Sequence, residues 1–446
     1  MSLGPLNPRL TQAHFLSAAV IALVLGGSGC SGDGGTTGYD NPVSTTLAPP
    51  IINAQTLIAW ADEGKINAPF GVADRVVVVS VTNRANFTSP TKKHIPDSVL
   101  LDFSAELSMT REEGLGPSGT MMLAGPQMDA LAKRLGIDEH TTIVLTVPKA
   151  TSDSEMYQMS VAYWTFRYWG FARSRVKILN GGDDAWEVAG QALTDAIVSV
   201  PPSSYNLTGN KTVKSAVRYS VGEMLSLVDS LNQNPAQRAG VQMLDVRGFA
   251  TSPYIANTFR GTSGYQFVLD RVNGEAGRNR LYPSRETLLA RMASLPVLDG
   301  ATNTFLSPTR KTVVMCGSSV SASPTFVLFD AVLEVPEGDI AMYDGSSSQW
   351  NNYSFAKIRA AGATEAQANA WAFDVLTPGT ALFRSVGTLP APVAGENPFL
   401  PGNFIYPPSQ TEVNQIEVDD SKFISATGGG TTPTTPSGPK PPGSGC

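Results

Sequence analysis

The sequence predicts an α/β protein made of two tandem domains, each a central, mostly parallel sheet flanked by helices. Two observations lead to that class. Short apolar runs bounded by turn residues alternate with segments of helical period along the 446 residues. The first half also returns in the second. Val176-Lys177-Ile178-Leu179-Asn180-Gly181-Gly182 leads to Trp186, and Ile340-Ala341-Met342-Tyr343-Asp344-Gly345-Ser346 leads to Trp350. Each block is a strand, a tight Asx-Gly turn and a Trp able to pack beneath the sheet. Asn180 and Asp344 stand 164 residues apart, about one domain length.

The segments follow in order. Residues 1–30 read as an export signal: Arg9 supplies positive charge, and the apolar run from Phe15 to Leu25 is too short to span a bilayer. Gly26, Gly27, Ser28 and Gly29 then lead to Cys30. This resembles a bacterial lipoprotein signal, with Cys30 as the lipidated residue, although Gly27 stands where that signal usually has Leu. An ordinary signal peptide with an incidental cysteine is the other reading. Ser31 is not acidic, so the resemblance implies the outer membrane, facing either the periplasm or the surface. Residues 31–50 form a flexible leash.

The first domain, 51–199, carries strands at 76–81, 99–103, 142–147 and 176–179. Its helices lie at 127–135, with Met128, Leu131 and Leu135 on one face, and at 155–168. Residues 200–214, rich in Pro, Ser, Asn and Thr, read as a linker. The second domain, 215–385, has strands at 241–246, 312–315 and 340–343 and helices at 221–231, 285–295 and 325–333, with an extra helix at 364–373. Residues 386–446 form a Pro/Gly-rich extension whose low-complexity end should be disordered.

Composition narrows the function. Hydrophobic residues make up 42% and charged residues 16%, as in a globular chain. The net charge is −6 and there is no Lys/Arg run, so nothing points to nucleic acid. The histidines are His14, His94 and His140, and no zinc-type or haem-attachment spacing occurs. No metal or cofactor is expected.

Cys316 carries the chemistry. An apolar strand feeds Cys316-Gly317-Ser318-Ser319-Val320-Ser321-Ala322, a loop of small residues opening a helix with Pro324 in its first turn. Such a loop lets backbone N–H groups converge on one sulfur, with hydroxyl donors from Ser318 and Ser321. Together with the helix dipole it should favour a thiolate and a persulfide. A buried core cysteine is the alternative reading. A cysteine phosphatase would need Arg six positions on, where this chain has Ala322. The first half has no cysteine and reads as a scaffold.

The motifs resemble those of tandem-domain rhodanese-like sulfurtransferases, over roughly residues 50–385. Lys93-His94-Ile95-Pro96-Asp97-Ser98 is similar to the family's G-H-I-P-G-A block, and Leu179-Asn180-Gly181-Gly182 to Trp186 is similar to its L-x-G-G-x-x-x-W ending. Met243-Leu244-Asp245-Val246-Arg247 resembles L-D-V-R. The Cys316 loop resembles C-G-S-G-V-T-A of the mercaptopyruvate type, with Ser319 replacing Gly and Ser321 replacing Thr. The second half lacks the G-H-I-P-G-A block and has residues 271–280 in its place.

The resemblance implies transfer of sulfane sulfur from thiosulfate or 3-mercaptopyruvate through a Cys316 persulfide to a thiol or cyanide. The substrate anion would be held by Arg271 and Arg278, which flank the replaced block, and by Arg247, which is also placed to pair with Asp245. It offers His94 as a relay partner of Ser318. Asn83 and Asn86 lie where an orienting acid is expected, so a structural His94 is the other reading. The competing function is a non-catalytic accessory lipoprotein of an outer-membrane multihaem cytochrome and porin complex. A third is selenium or tellurium oxyanion handling.

Overall fold

The structure is a computed structural model. It describes residues 44–113, 117–150, 153–247, 255, 258–260, 270–294, 296–298, 303–305, 307–352, 354–360, 364–366, 368, 372–373 and 415–426. The described residues all fall in one compact unit.

In the first half, β1 (Ile51–Ile52), α1 (Ala54–Asp62), β2 (Val76–Thr82), α2 (Arg84–Phe87), β3 (Val99–Asp102) and α3 (Phe103–Glu106) lead into a hairpin, β4 (Met109–Glu112) and β5 (Pro117–Met121). Then come α4 (Gly125–Arg134), β6 (Thr142–Thr146), α5 (Asp153–Tyr168), β7 (Val176–Leu179) and α6 (Gly182–Val188). Every residue of β2, β6 and β7 is buried, because a parallel sheet is covered on both faces. The strand order is β1-β7-β6-β2-β3, all parallel.

The second half begins with α7 (Val221–Gln233), started by a Ser220–Glu223 capping box. It continues with β8 (Val241–Asp245), β9 (Thr258–Arg260), α8 (Arg285–Ser294), β10 (Pro296–Leu298), β11 (Asn303–Phe305) and β12 (Lys311–Met315). Next are α9 (Ser323–Val327), which runs on as a wide π turn over Leu328–Val332, then β13 (Ile340–Met342), α10 (Ser346–Asn351) and α11 (Phe355–Ala360). The parallel part of this sheet is ordered β13-β12-β8-β9, with β10 and β11 added antiparallel. Arg218 bridges to Met342 as β1 pairs with β7, so the second sheet repeats the first. Trp186 and Trp350 are both buried, at 5% and 2% exposure, as the repeat predicts.

The expected linker is not a free tether. Tyr205, Leu207 and Val213 are buried within it. The extension contains a further helix, α12 (Gln415–Ser425), whose Ile416 and Ile424 are buried. Of the expected helix at 364–373, residues 364–366, 368 and 372–373 are described; Ala368 N donates to Thr364 O and Ala372 N to Ala368 O, and Ala368, Ala372 and Phe373 are buried.

The halves meet along α5 and α9. Most of α5 is buried because it lies between the first sheet and the second half, and its apolar side chains are spread round the helix rather than kept to one face. Asp330 crosses this contact, accepting from Tyr163 Oη at 2.7 Å, Arg167 Nε at 2.9 Å and Arg173 Nη2 at 2.8 Å. Burial alone would raise the Asp330 pKa, but the two guanidinium groups outweigh it and hold it below the usual carboxylate range. A depressed carboxylate stabilises the fold above its ordinary pKa and loses that contribution as pH falls. Asp330→Asn should therefore cost about 3 kcal/mol near neutral pH. It should also flatten the loss of stability in acid. A drop in urea midpoint worth less than about 1 kcal/mol would show that the cluster does not secure the two halves.

Candidate active site

Cys316 follows the last residue of β12, a central strand between β8 and β13. Val246 N donates to Met315 O and Tyr343 N to Val314 O, which carries the pairing to the carboxyl end of the sheet. This is the edge where the crevices of parallel sheets form. The thiol itself is buried, with 0% exposure.

The loop that follows is tightly held. Ser318 N donates to Cys316 Sγ at 3.4 Å. The N–H groups of Cys316 and Ser319 are taken by Ser346 Oγ, at 3.3 and 3.1 Å, while Ser346 Oγ donates to Tyr343 O. Ser347 N and Ser348 N donate to the carbonyls of Cys316 and Gly317. The converging set of donors expected around the sulfur is thus divided between Sγ and Ser346. Ser319 has φ 72°, a conformation that favours glycine, so the replacement noted in the sequence costs backbone strain. Ser319 O accepts from Ala322 N and Ser323 N. Ser323 Oγ reaches Val320 O and, across the half–half contact, Tyr157 O at 3.0 Å. Gly317, Ser318, Val320 and Ser321 are half-buried on the same turn.

The repeat identifies the vacant counterpart. Asp183 N donates to Val147 O at 3.0 Å, as Ser347 N does to Cys316 O. Asp183 and Ser347 are separated by the same interval as Asn180 and Asp344, so Val147 stands where Cys316 stands. Gly182 has φ +57°, and a Cβ there would meet Val147 O at 2.7 Å. Its second-half equivalent is Ser346, also left-handed at φ 50°, whose hydroxyl braces the Cys316 loop. Sequence reasoning aligned these two positions but passed over that hydroxyl.

The arginines separate into two groups. Arg247 forks onto Asp245, with Nη2–Oδ2 at 2.6 Å and Nε–Oδ1 at 2.9 Å, the pairing the sequence anticipates. Asp245 is in register with Met315 on one side and Arg260 on the other, one strand from Cys316.

Arg271 and Arg278, expected to bind substrate beside Cys316, are engaged on the first half instead. Arg278 pairs with Asp184 at 2.8 Å, Glu187 at 2.6 Å and Glu275 at 2.9 Å. Arg271 lies 3.8 Å from Asp153, which also holds Arg280 at 2.7 Å. The reason is that their segment crosses to the first half as an arm. Tyr282 exchanges backbone bonds with the Asn180 amide, and Asn279 Nδ2 donates to Pro148 O and Gly181 O. The arm leaves a cavity of about 10 Å³ beside Val147, no larger than a water needs and too small for a substrate anion.

His94 is locked inside the first half. Its ring stacks on Phe87, with centroids 3.9 Å apart, and Nδ1 lies 3.1 Å from both Ser98 Oγ and Ile95 O. Burial lowers its pKa, with Ile95 O and Asp195 opposing that shift. These contacts lie within the first half and do not bring His94 to Ser318. Cys30 and Cys446 lie outside the described residues. Among the described residues no cluster of His, Cys, Asp and Glu could hold a metal, and no helix is long and apolar enough to cross a membrane.

No family model matches the chain. It is 28% identical over 264 residues to a putative thiosulfate sulfurtransferase, SseB, of Mycobacterium tuberculosis, covering 58% of this chain and 80% of that protein. It is 26% identical over 185 residues to a putative thiosulfate sulfurtransferase of Haloferax volcanii, covering 40% of this chain and 57% of that one. Among solved structures it aligns with a 3-mercaptopyruvate sulfurtransferase, SseA, of Escherichia coli at 17% identity and a TM-score of 0.46, over 67% of this chain and 99% of that one. In sequence the chain is thus similar to proteins named as putative thiosulfate sulfurtransferases.

Proposed function

We propose that the chain is an extracytoplasmic, lipid-anchored sulfurtransferase that carries sulfane sulfur on Cys316. The observation that carries this reading is the placement of one thiol at the carboxyl end of a central parallel strand, where the duplicate half has Val147. In the first step the Cys316 thiolate attacks the outer sulfur of thiosulfate. The S–S bond to the sulfonate breaks and sulfite leaves with its electron pair, giving a Cys316 persulfide. In the second step a thiolate or cyanide attacks the terminal sulfur and Cys316 leaves as thiolate. With 3-mercaptopyruvate as donor the C–S bond breaks instead, and the carbon leaves with its electron pair as the enolate of pyruvate, which takes a proton from water to give pyruvate. Ser318 N–H steadies charge on Sγ, and the Arg247 guanidinium attracts the donor anion. The likeness of residues 1–30 to a lipoprotein signal supports an outer-membrane anchor through Cys30.

A non-catalytic accessory role on the same fold, beside outer-membrane cytochromes and a porin, is the second reading. It is favoured by the complete burial of Cys316 and by the loop N–H groups that Ser346 occupies.

Treatment with thiosulfate or 3-mercaptopyruvate should add one sulfur to the peptide containing Cys316, and Cys316→Ser should abolish both this adduct and sulfur transfer. No adduct from either donor would sink the catalytic reading. Arg247→Ala should raise the donor KM about tenfold, equivalent to about 1.4 kcal/mol. Arg278→Ala, on the other half, should leave KM unchanged. Cys30→Ala should move the protein from the membrane to the soluble fraction; retention in the membrane would count against the anchor.

A further inference from the structure

The α12 helix is fastened on several sides, to the β4–β5 hairpin among them. Asp420 takes both terminal nitrogens of Arg111 in β4, at 2.7 and 2.9 Å, and the Tyr168 hydroxyl at 2.9 Å. Phe423 packs against Gly125, where a Cβ would clash with its ring. Ile424 O accepts from Gly209 N. Glu417 reaches Arg218 Nη1 at 3.3 Å, and the same guanidinium holds Glu113, the residue after β4, at 2.6 Å.

From the hairpin the contacts run to the thiol. Arg218 Nη2 meets Asp344 at 2.8 Å, and Met122 N, just beyond β5, donates to Asp344 Oδ2 at 3.4 Å. The hairpin also packs against α10. Asp344 Oδ1 accepts Gly345 N, and the next residue, Ser346, grips the N–H groups of Cys316 and Ser319. With all these joints made, Cys316 has no solvent exposure.

We propose that α12 is a latch: docked, it holds the hairpin against the turn that braces the Cys316 loop and keeps the thiol closed to solvent; released, it opens the site. The proposal rests on Cys316 being the reacting group. Two features make the latch reversible. An isolated helix of 11 residues is marginal in water, so α12 should melt when it leaves its seat. The seat is also rich in acid. Glu417 faces Arg218 before α7, Glu113 after β4 and Glu223 of α7; Asp344 after β13 shares the Arg218 guanidinium, and Asp420 lies alongside with Arg111 and Tyr168. Burial pushes Glu417 up to about 8, against the pull of Arg218, and raises Glu113 and Asp420 as well. A carboxyl with a raised docked pKa favours docking fully below its free value near 4.5, and that contribution fades as pH climbs toward about 8. The latch therefore loosens with rising pH.

The test is the rate of iodoacetamide alkylation of Cys316 in the full chain, read by mass on its peptide so that Cys30 and Cys446 do not contribute. Asp420→Ala, which leaves Arg111 and Tyr168 without their acceptor, and Phe423→Ala should each speed alkylation at pH 8 by about tenfold. Glu417→Gln, which puts a permanently neutral amide in the docked position, should slow it severalfold, a direction that unfolding cannot mimic. The ratio of wild-type to Glu417→Gln rates should grow between pH 5 and pH 8, since thiol ionisation is common to both. Wild-type rates in all three variants would overturn the latch. Alkylation needs no sulfur donor, so a missing persulfide would overturn the proposed function and leave this result standing.

Discussion

Arg218 sits where the parts of this protein converge. Its backbone bridges to Met342 at the edge of the second sheet, and its fully buried guanidinium holds Glu113 from the first half, Asp344 beside the Cys316 loop and Glu417 from the C-terminal helix. Burial works against its charge, but Asp344 and Glu113 more than compensate and raise its pKa well above the usual value. Several carboxylates gathered on one guanidinium in a dry site allow little freedom of geometry, because any lost contact leaves a buried charge unpaired. A shift at one member is therefore felt at the others, and one of those others adjoins the active loop.

The two halves use one scaffold in opposite ways. Each extends an arm to the other: residues 271–282 reach Asn180 and Gly181, and the β4–β5 hairpin reaches Asp344. On the first half the arm fills the crevice beside Val147 and satisfies the turn with Asn279 and Arg278. On the second half the matching crevice holds a thiol and a hydroxyl-braced loop. The difference comes down to a few side chains, Val147 against Cys316 and Gly182 against Ser346, on backbones that share their hydrogen bonds. The non-reacting half serves as the wall that α5 and Asp330 secure against α9.

Much of this was legible in the chain, for reasons particular residues make plain. Apolar runs such as Val76–Thr82 can only be covered strands, and the Asx-Gly-Trp repeat required two similar sheets. Asp245 and Arg247, two apart at a strand end, were bound to meet. The arginines of 271–280 misled because their charge suggested an anion, whereas their partners, Asp153 and Asp184, lie more than 90 residues away in sequence. The hairpin and α12 escaped notice for the same reason. Short segments declare themselves only through distant partners, as Arg111 does through Asp420.

Local chemistry in the sequence determined the α/β class, the duplicated halves and the single thiol at a strand end, since each depends on neighbours within a few residues. Tertiary structure decided which charges face the thiol, which are spent joining the halves, and how the loop's N–H groups are shared. Those outcomes depend on long-range pairing of buried polar groups, whose cost when unpaired is felt only after the halves have closed on one another.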